Sequence, residues 1–466
     1  MSQLDTIKRI ILPIVSLALF MEAVDTTIIN TAIPSMANTL HVSAIDLKIA
    51  LISYLLSLAI FIPASGWFAD KFGTKTVFLS AIGVFTISSF FCGFASHLYE
   101  LVFARFIQGI GGAMMIPVGR LIVVRLFHRE ELITAMNRVI IPALIGPAIG
   151  PLLGGVISEA FSWRWIFWVN IPFGIITFIL AYYWVENFKA KKPPFDWIGF
   201  LLFGFGLAGL VFGFSALSES DFPQFIIVYI FAVAIALLLA YAYYSVRAKY
   251  PVLKVQLFRA RTFRVSVMGN IVTRVGFGGI PFLLPLFLQI ALGFSPESAG
   301  LMVAITAIGA MFIKFFTRNL IHYFGFKNLL LLNTALLGVG LWFFLMVHHG
   351  TPLIIISLFS FTYGILASCQ YSTMNPLAYA KIIPDDLSYA TSIMGVIQQV
   401  ASSFGVAATA LILRTSGELN VSAFHKTFYI LGLITILSSA VFLMLKKEDG
   451  QSLIHERVSD SEEKPV

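Results

Sequence analysis

Long apolar runs recur along nearly the whole chain, separated by short polar punctuations. A helix needs about 20 apolar residues to cross the hydrocarbon core of a bilayer. Fourteen runs are long enough: 10–33, 47–69, 76–96, 101–124, 133–157, 164–185, 197–217, 224–246, 263–291, 298–318, 328–347, 352–373, 388–412 and 424–445. The pattern predicts an all-α polytopic membrane protein. The run 263–291 contains Pro281 and Pro285, and a proline inside a helix removes a backbone donor, so a break is expected there. The first run is too long for a signal-peptide core and contains Glu22 and Asp25; it reads as a retained first helix.

Composition supports lipid as the solvent. Of the 466 residues 58% are hydrophobic and only 12% charged, and the mean hydropathy is +0.90. A soluble domain carries about a quarter charged residues. The formal net charge of +8 does not point to nucleic acid, because the basic residues sit in the short loops. With the N-terminus inside, 24 of the 31 Lys and Arg fall on one side and four (Lys48, Arg164, Arg414, Lys426) on the other, with Arg105, Arg120 and Arg274 inside spans. That asymmetry places both termini in the cytoplasm, and the expected location is a bacterial cytoplasmic (inner) membrane. Cys92 and Cys369 lie inside apolar runs and the histidines are scattered, so no metal site is expected.

Two basic punctuations, Lys191-Lys192-Pro193-Pro194 and the loop from Arg247 to Arg264, isolate one helix pair between two sets of six. The expected organisation is an N-terminal six-helix bundle (1–190), two extra linker helices (191–250), a C-terminal six-helix bundle (251–446) and a cytoplasmic tail (447–466). A faint repeat supports it: Phe72-Gly73-Thr74-Lys75 follows the second span and Phe324-Gly325-Phe326-Lys327 the tenth. Repeated halves suit a transporter that rocks about a midplane site.

Several segments carry candidate chemistry. The loop after the second span contains Gly66, Asp70, Lys71, Gly73 and Lys75. Small Gly66 permits close helix contact, Asp70 at a helix end suits a basic partner or a helix N-terminus, and the lysines hold the loop in the cytoplasm. In the fifth span, Gly146-Pro147-Ala148-Ile149-Gly150-Pro151-Leu152-Leu153-Gly154-Gly155 combines prolines that kink with glycines that admit a neighbouring helix. The loop segment resembles the motif between helices 2 and 3 of the major facilitator superfamily, with Thr74 where a basic residue is usual. Arg105-Phe106-Ile107-Gln108-Gly109 with Gly111-Gly112 is similar to the fourth-helix motif, the Gly/Pro run to the fifth-helix antiporter motif, and Asp25-Thr26-Thr27-Ile28-Ile29-Asn30-Thr31-Ala32-Ile33-Pro34 to the first-helix motif of the fourteen-helix drug:proton antiporters. The stretch Ser162-Trp163-Arg164-Trp165-Ile166-Phe167-Trp168-Val169-Asn170-Ile171-Pro172-Phe173-Gly174 also resembles that subfamily. The resemblance implies the major facilitator fold, a cytoplasmic gate latched through Asp70, and an antiport mode served by Gly146, Pro147, Gly150, Pro151, Gly154 and Gly155.

Ionisable residues at bilayer depth are costly and mark function. Asp25 and Arg105 fall at compatible depths for a pair; Glu22 stands one helical turn from Asp25. These three are the proton-coupling candidates. Arg274 falls near the midplane of the ninth span, and the resemblance implies that the first and ninth spans line the central cavity. Glu22, Arg274, Asn270 and Gln108 are therefore the substrate-cavity candidates, with Glu22 and Arg274 expected to face each other or to share a substrate. Arg120, Lys314 and Arg318 read as residues that snorkel to the interface.

The expected function is proton-coupled export of drug-like lipophilic compounds by alternating access. The alternative is dedicated export of an anionic metabolite, organic acid or siderophore, because the embedded charge is net basic. A membrane-embedded enzyme is a distant third: no extramembrane segment exceeds about 21 residues, too short for a catalytic domain. There is no GxxxxGK[ST] sequence for nucleotide binding. The expected partners are a small-molecule substrate, protons and the bilayer, with no cofactor and no nucleic acid. A monomer is expected, with an accessory periplasmic adaptor left open.

Overall fold

A computed structural model of the chain describes residues 3–127, 129–190, 194–217, 223–383, 386–446 and 448–451. The Lys191–Pro193 punctuation and most of the tail lie outside them. The described residues form helices and no strands. In chain order these are α1 (Gln3–Leu40), α2 (Lys48–Phe72), α3 (Thr74–Phe94), α4 (Leu98–Leu126), α5 (Arg129–Ala160), α6 (Trp165–Trp184), α7 (Trp197–Ala216), α8 (Gln224–Arg247), α9 (Arg261–Ala291), α10 (Pro296–Phe315), α11 (Thr317–Met346), α12 (Leu353–Tyr379), α13 (Leu387–Arg414) and α14 (Val421–Met444). Among the described residues, thirteen are long and apolar enough to cross a bilayer. The fourteenth, α5, spans 32 residues, with a shorter apolar stretch at Ile145–Ala160. The chain is a multi-pass membrane protein.

Contacts divide the chain into two units. The first comprises residues 1–244, 248–252 and 281–304; the second comprises 245–247, 253–280 and 305–466. In the first unit α1 and α5 pack more extensively than any other helix pair, followed by α2 on α4 and α3 on α4. Its apolar core gathers Val15, Leu19, Phe78, Phe85, Val118 and Ile122 from α1, α3 and α4. The second unit is built from α9, α11, α12, α13 and α14, with a core around Val265, Leu330, Met374, Leu377 and Phe442.

Helix α9 breaks just before Pro281, the first of its two prolines, and runs on through Pro285. Regular helix runs Arg261–Phe277, turns at Gly278 and Gly279, resumes at Ile280–Leu286 and widens to a π turn at Phe287–Ala291. Pro281 has no N–H to donate to the Phe277 carbonyl four residues earlier. The Tyr363 hydroxyl donates to that carbonyl instead, at 3.2 Å. A side chain could not replace hydrogen at Gly279, where a Cβ would lie 2.5 Å from the Gly405 carbonyl oxygen.

The repeated Phe-Gly motifs have the same geometry. Only Gly73 separates α2 from α3, at φ +104°. Gly325 interrupts α11 at φ +71°, with helix on both sides. The loops expected at 70–75 and 319–327 thus contract to one glycine each, in the left-handed region that side chains disfavour. Each turn is also met by the segment that follows a later helix: a Cβ on Gly73 would strike Asn187, while one on Gly450 would strike the Phe326 ring.

Candidate transport site

The first unit contains a buried charge network. Asp25 on α1 is fully buried and Arg105 on α4 is 1% exposed. Arg105 Nη1 donates to Asp25 Oδ2 at 2.6 Å and to Gln108 Oε1 at 2.7 Å. Gln108 Nε2 donates to Asp25 Oδ1 at 2.9 Å and Asn170 Nδ2 to the same oxygen at 2.8 Å. Gln108 Nε2 also donates to Ser89 Oγ at 2.6 Å, and the Arg105 guanidinium lies 4.1 Å from the centroid of the Tyr54 ring. Every group facing the Asp25 oxygens is a donor, so the network suits an ionised carboxylate. The expected Asp25–Arg105 pair is therefore made. Gln108, expected to line a substrate cavity, is fully buried and spends its amide inside this network.

Glu22 lies one turn before Asp25 and is also buried. Tyr54 donates to its Oε1 at 3.2 Å and Thr26 to the same atom at 3.3 Å. Among the described residues no basic group pairs with it. Hydroxyls donate or accept, so Tyr54 and Thr26 serve Glu22 with or without a proton. Gly112 makes room for this corner: a Cβ there would lie 2.9 Å from the Tyr54 hydroxyl and 3.6 Å from Glu22. Gly109 and Gly111 do the same for α2 and α3, where a Cβ would meet the backbone at 2.7 and 2.8 Å. Nearer the N-terminus of α1, Leu12, Pro13, Ser16, Leu17 and Phe20 face Arg138 and Pro142 of α5 across a cleft of about 590 Å³.

The Gly/Pro run forms the α1–α5 seam. A Cβ on Gly146 would lie 2.7 Å from Ala23 Cβ, one on Gly150 2.1 Å from Thr27 Oγ1, and one on Gly154 2.2 Å from the Ile28 carbonyl oxygen. The three glycines repeat every fourth residue and so share one helix face. Gly155 turns to α10, where its Cβ would lie 2.3 Å from the Pro296 carbonyl oxygen. Pro147 is exposed and Pro151 buried; both stand, with Pro142, inside one continuous helix rather than at a break. Thr31 Oγ1 ties the seam by donating to the Pro151 carbonyl at 3.1 Å.

At the Gly73 turn, Asp70 is ion-paired with Arg125 at the end of α4. Thr74 does not leave a gap in that network. It is fully buried; its N–H donates to the Phe188 carbonyl at 3.0 Å, its hydroxyl donates to the Glu186 carbonyl at 3.3 Å and accepts from the Phe188 N–H at 3.1 Å. The Asp70 carbonyl accepts from the Ala190 N–H at 2.9 Å, and the Asn187 side chain accepts from the Lys75 N–H at 3.1 Å. Lys71 stacks over Trp67 and Lys75 over Tyr182, with the ammonium 4.7 and 5.3 Å from the ring centroids. The close contact expected at Gly66 is not made: it is exposed and a Cβ there would meet nothing within 4 Å.

In the second unit, Arg274 donates through Nε to Asn270 Oδ1 at 3.4 Å and through Nη1 to Ser402 Oγ at 2.7 Å, over the Tyr371 ring. Asn270 is fully buried and its Nδ2 donates to the Ser266 carbonyl at 3.1 Å; like Gln108 it supports a charged neighbour rather than facing open space. Among the described residues no group of three or more His, Cys, Asp or Glu gathers to hold a metal.

The sequence matches the Major Facilitator Superfamily over residues 15–258 and 266–463. The chain belongs to the Major Facilitator Superfamily. Proteins of this superfamily named "Putative multidrug resistance protein MdtD" are similar to it over almost their full length. The one from Enterobacter sp. (strain 638) is 37% identical over 97% of this chain and 95% of its own. The one from Klebsiella pneumoniae (strain 342) is 38% identical over 99% and 97%. Solved structures share the superfamily fold: a D-xylose–proton symporter (TM-score 0.66, 16% identity, 94% of this chain and 97% of that one) and an inward-facing, unoccupied bacterial homolog of the human lysosomal transporter Spinster (TM-score 0.66, 15% identity, 95% and 98%). The protein is a membrane transporter of small molecules and not an enzyme.

Proposed function

We propose that this superfamily member is a proton-coupled exporter of lipophilic, drug-like compounds that works by alternating access in a bacterial inner membrane, with both termini cytoplasmic. The observation that carries the reading is the pair of carboxyls one turn apart on α1. Asp25 is held by Arg105, Gln108 and Asn170, whereas Glu22 is held by hydroxyls alone. One is built to stay paired until a proton or cargo displaces Arg105. The other tolerates both protonation states. Two adjacent carboxyls so differently held form a relay between a proton site and the helices that move. The α1–α5 seam holds that relay rigidly, and the Asp70–Arg125 and Thr74 contacts serve as the cytoplasmic latch. The names of the MdtD relatives support the drug-like cargo, and the loop charge asymmetry supports the orientation.

The test is transport by the purified chain in proteoliposomes with an imposed pH gradient, offering lipophilic cations and organic anions in parallel. Cargo-dependent dissipation of the gradient is expected, falling to background in Asp25→Asn and in Glu22→Gln. Wild-type protein that dissipates no gradient with any cargo, together with unchanged counterflow in Asp25→Asn, would remove proton coupling from the reading.

A further inference from the structure

The second unit carries an embedded cation that its own side chains do not neutralise. Arg274 stands near the middle of the 31-residue run Arg261–Ala291 and is half-buried. Its partners are an amide, a hydroxyl and a phenol ring: Asn270, Ser402 and Tyr371. All are neutral. Among the described residues no carboxylate lies within ion-pair distance of it. Arg105 in the first unit, fully enclosed and paired with Asp25, is the contrasting case. A charge at this depth is costly and does not rest in hydrocarbon, so the exposed part of the Arg274 guanidinium calls for water or an anionic partner.

The guanidinium is also held still. Gly405 brings α13 onto the Arg274 backbone, where a Cβ would lie 2.4 Å from its carbonyl oxygen, and the Gly278 N–H donates to the same carbonyl at 2.7 Å. Ser402, one turn before Gly405 on α13, fixes Nη1, and Asn270, one turn earlier on α9, fixes Nε. Neither hydrogen bond uses Nη2. The result is a positioned guanidinium with a free donor edge, lying 4.1 Å from the centroid of the Tyr371 ring; that ring packs in turn against the buried Phe277. A planar guanidinium presented this way recognises a carboxylate, sulfonate or phosphonate, and the partly exposed Tyr371 ring beside it suits an aromatic body.

We infer that Arg274 is the anion-binding group of the transport site and that the cargo is an amphipathic organic anion, an apolar or aromatic body carrying one acidic group. This rests on the transporter reading and narrows its cargo. The experiment uses full-length protein in nanodiscs and two probes with the same aromatic body and opposite charge, naphthalene-2-sulfonate and trimethyl(2-naphthyl)ammonium, with affinities read by calorimetry. Wild-type protein binds the sulfonate more tightly. Arg274→Gln weakens it roughly ten- to a hundredfold, the worth of a charge-assisted hydrogen bond, and leaves the ammonium probe unchanged; Arg274→Lys retains part of the binding. Ser402→Ala, which keeps the charge and frees the guanidinium, gives a several-fold loss and serves if Arg274→Gln does not fold. Wild-type affinity for the sulfonate in both Arg274→Gln and Ser402→Ala, tighter wild-type binding of the ammonium probe, or no binding of either probe would overturn the assignment. Counterflow of both probes in proteoliposomes separates the two readings. Sulfonate binding without counterflow overturns export and leaves the anion site standing, whereas counterflow of the ammonium probe alone overturns the anion site and leaves export standing.

Discussion

Replacing Gly154 by alanine tests the α1–α5 seam at its tightest backbone contact. The added Cβ would lie 2.2 Å from the Ile28 carbonyl oxygen and 2.4 Å from Thr31 Oγ1. Ordinary van der Waals contact begins at 3.4 Å. Thr31 can turn away, although its bond to the Pro151 carbonyl is then lost; Ile28 cannot, because its oxygen belongs to the α1 backbone. The helices must part by roughly 1 Å, and overpacking of this kind costs about 1–3 kcal/mol. That is a factor of about 5 to 150 in the folded-to-unfolded ratio. Gly150→Ala meets mainly the Thr27 side chain, at 2.1 Å, so adding Thr27→Ala recovers part of its loss, whereas no side-chain change rescues Gly154→Ala. Gly66→Ala meets nothing within 4 Å and is the neutral control. The assay is thermal and denaturant unfolding of the purified variants in one detergent, with proteoliposome leak of protons as a second readout. Equal stability of Gly154→Ala and Gly66→Ala would refute the packing argument.

Two further outcomes follow from the turn at Gly73 and from the chain's last described residues. Thr74→Lys, which restores the basic residue usual in the superfamily, is expected to destabilise by about 1–3 kcal/mol, because it buries an ammonium and removes two hydrogen bonds; higher stability on unfolding would contradict this. Asp449 accepts from Arg261 at 2.8 and 2.9 Å, from Lys381 at 3.0 Å and from the Lys446 N–H at 3.0 Å. Burial pushes its carboxyl up, but those bonds outweigh burial and hold it well below the usual carboxylate range. A depressed carboxyl contributes stability above its unfolded pKa of about 3.9 and loses it as the pH falls toward the folded value. Wild type and Asp449→Asn should therefore differ in unfolding midpoint at neutral pH and converge under strong acid; a gap that persists unchanged at the lowest pH would contradict the linkage.

The charges and the glycines were readable because each announces itself. An Asp and an Arg inside apolar runs must find partners, and Asp25 and Arg105 found each other. Glycines four residues apart imply a helix seam, and Gly146, Gly150 and Gly154 form one. Neutral polar residues announce little. Tyr54, Ser89 and Asn170 complete the Asp25–Glu22 corner, yet each looks like one more residue of an apolar helix. The available signal was that a buried amide such as Asn170 needs a partner in lipid. Gly66 shows the converse: a small residue permits contact without supplying a neighbour. Gln108 and Asn270 were expected at a substrate cavity and are instead fully buried against Arg105 and Arg274, because position along a helix does not say whether an amide faces space or a charge.

Thr74 has a consequence for the ionic conditions under which this turn holds. Attraction between exposed ions fades as salt shortens the Debye length from about 10 Å at 0.1 M to 3 Å at 1 M. Hydrogen bonds between a buried hydroxyl and backbone groups carry no such dependence. By seating an uncharged side chain between Glu186 and Phe188, the chain has moved part of this fastening out of reach of the surrounding solution's ionic strength. Asp70 and Arg125 remain its ionic half, screened only in part because Asp70 is buried.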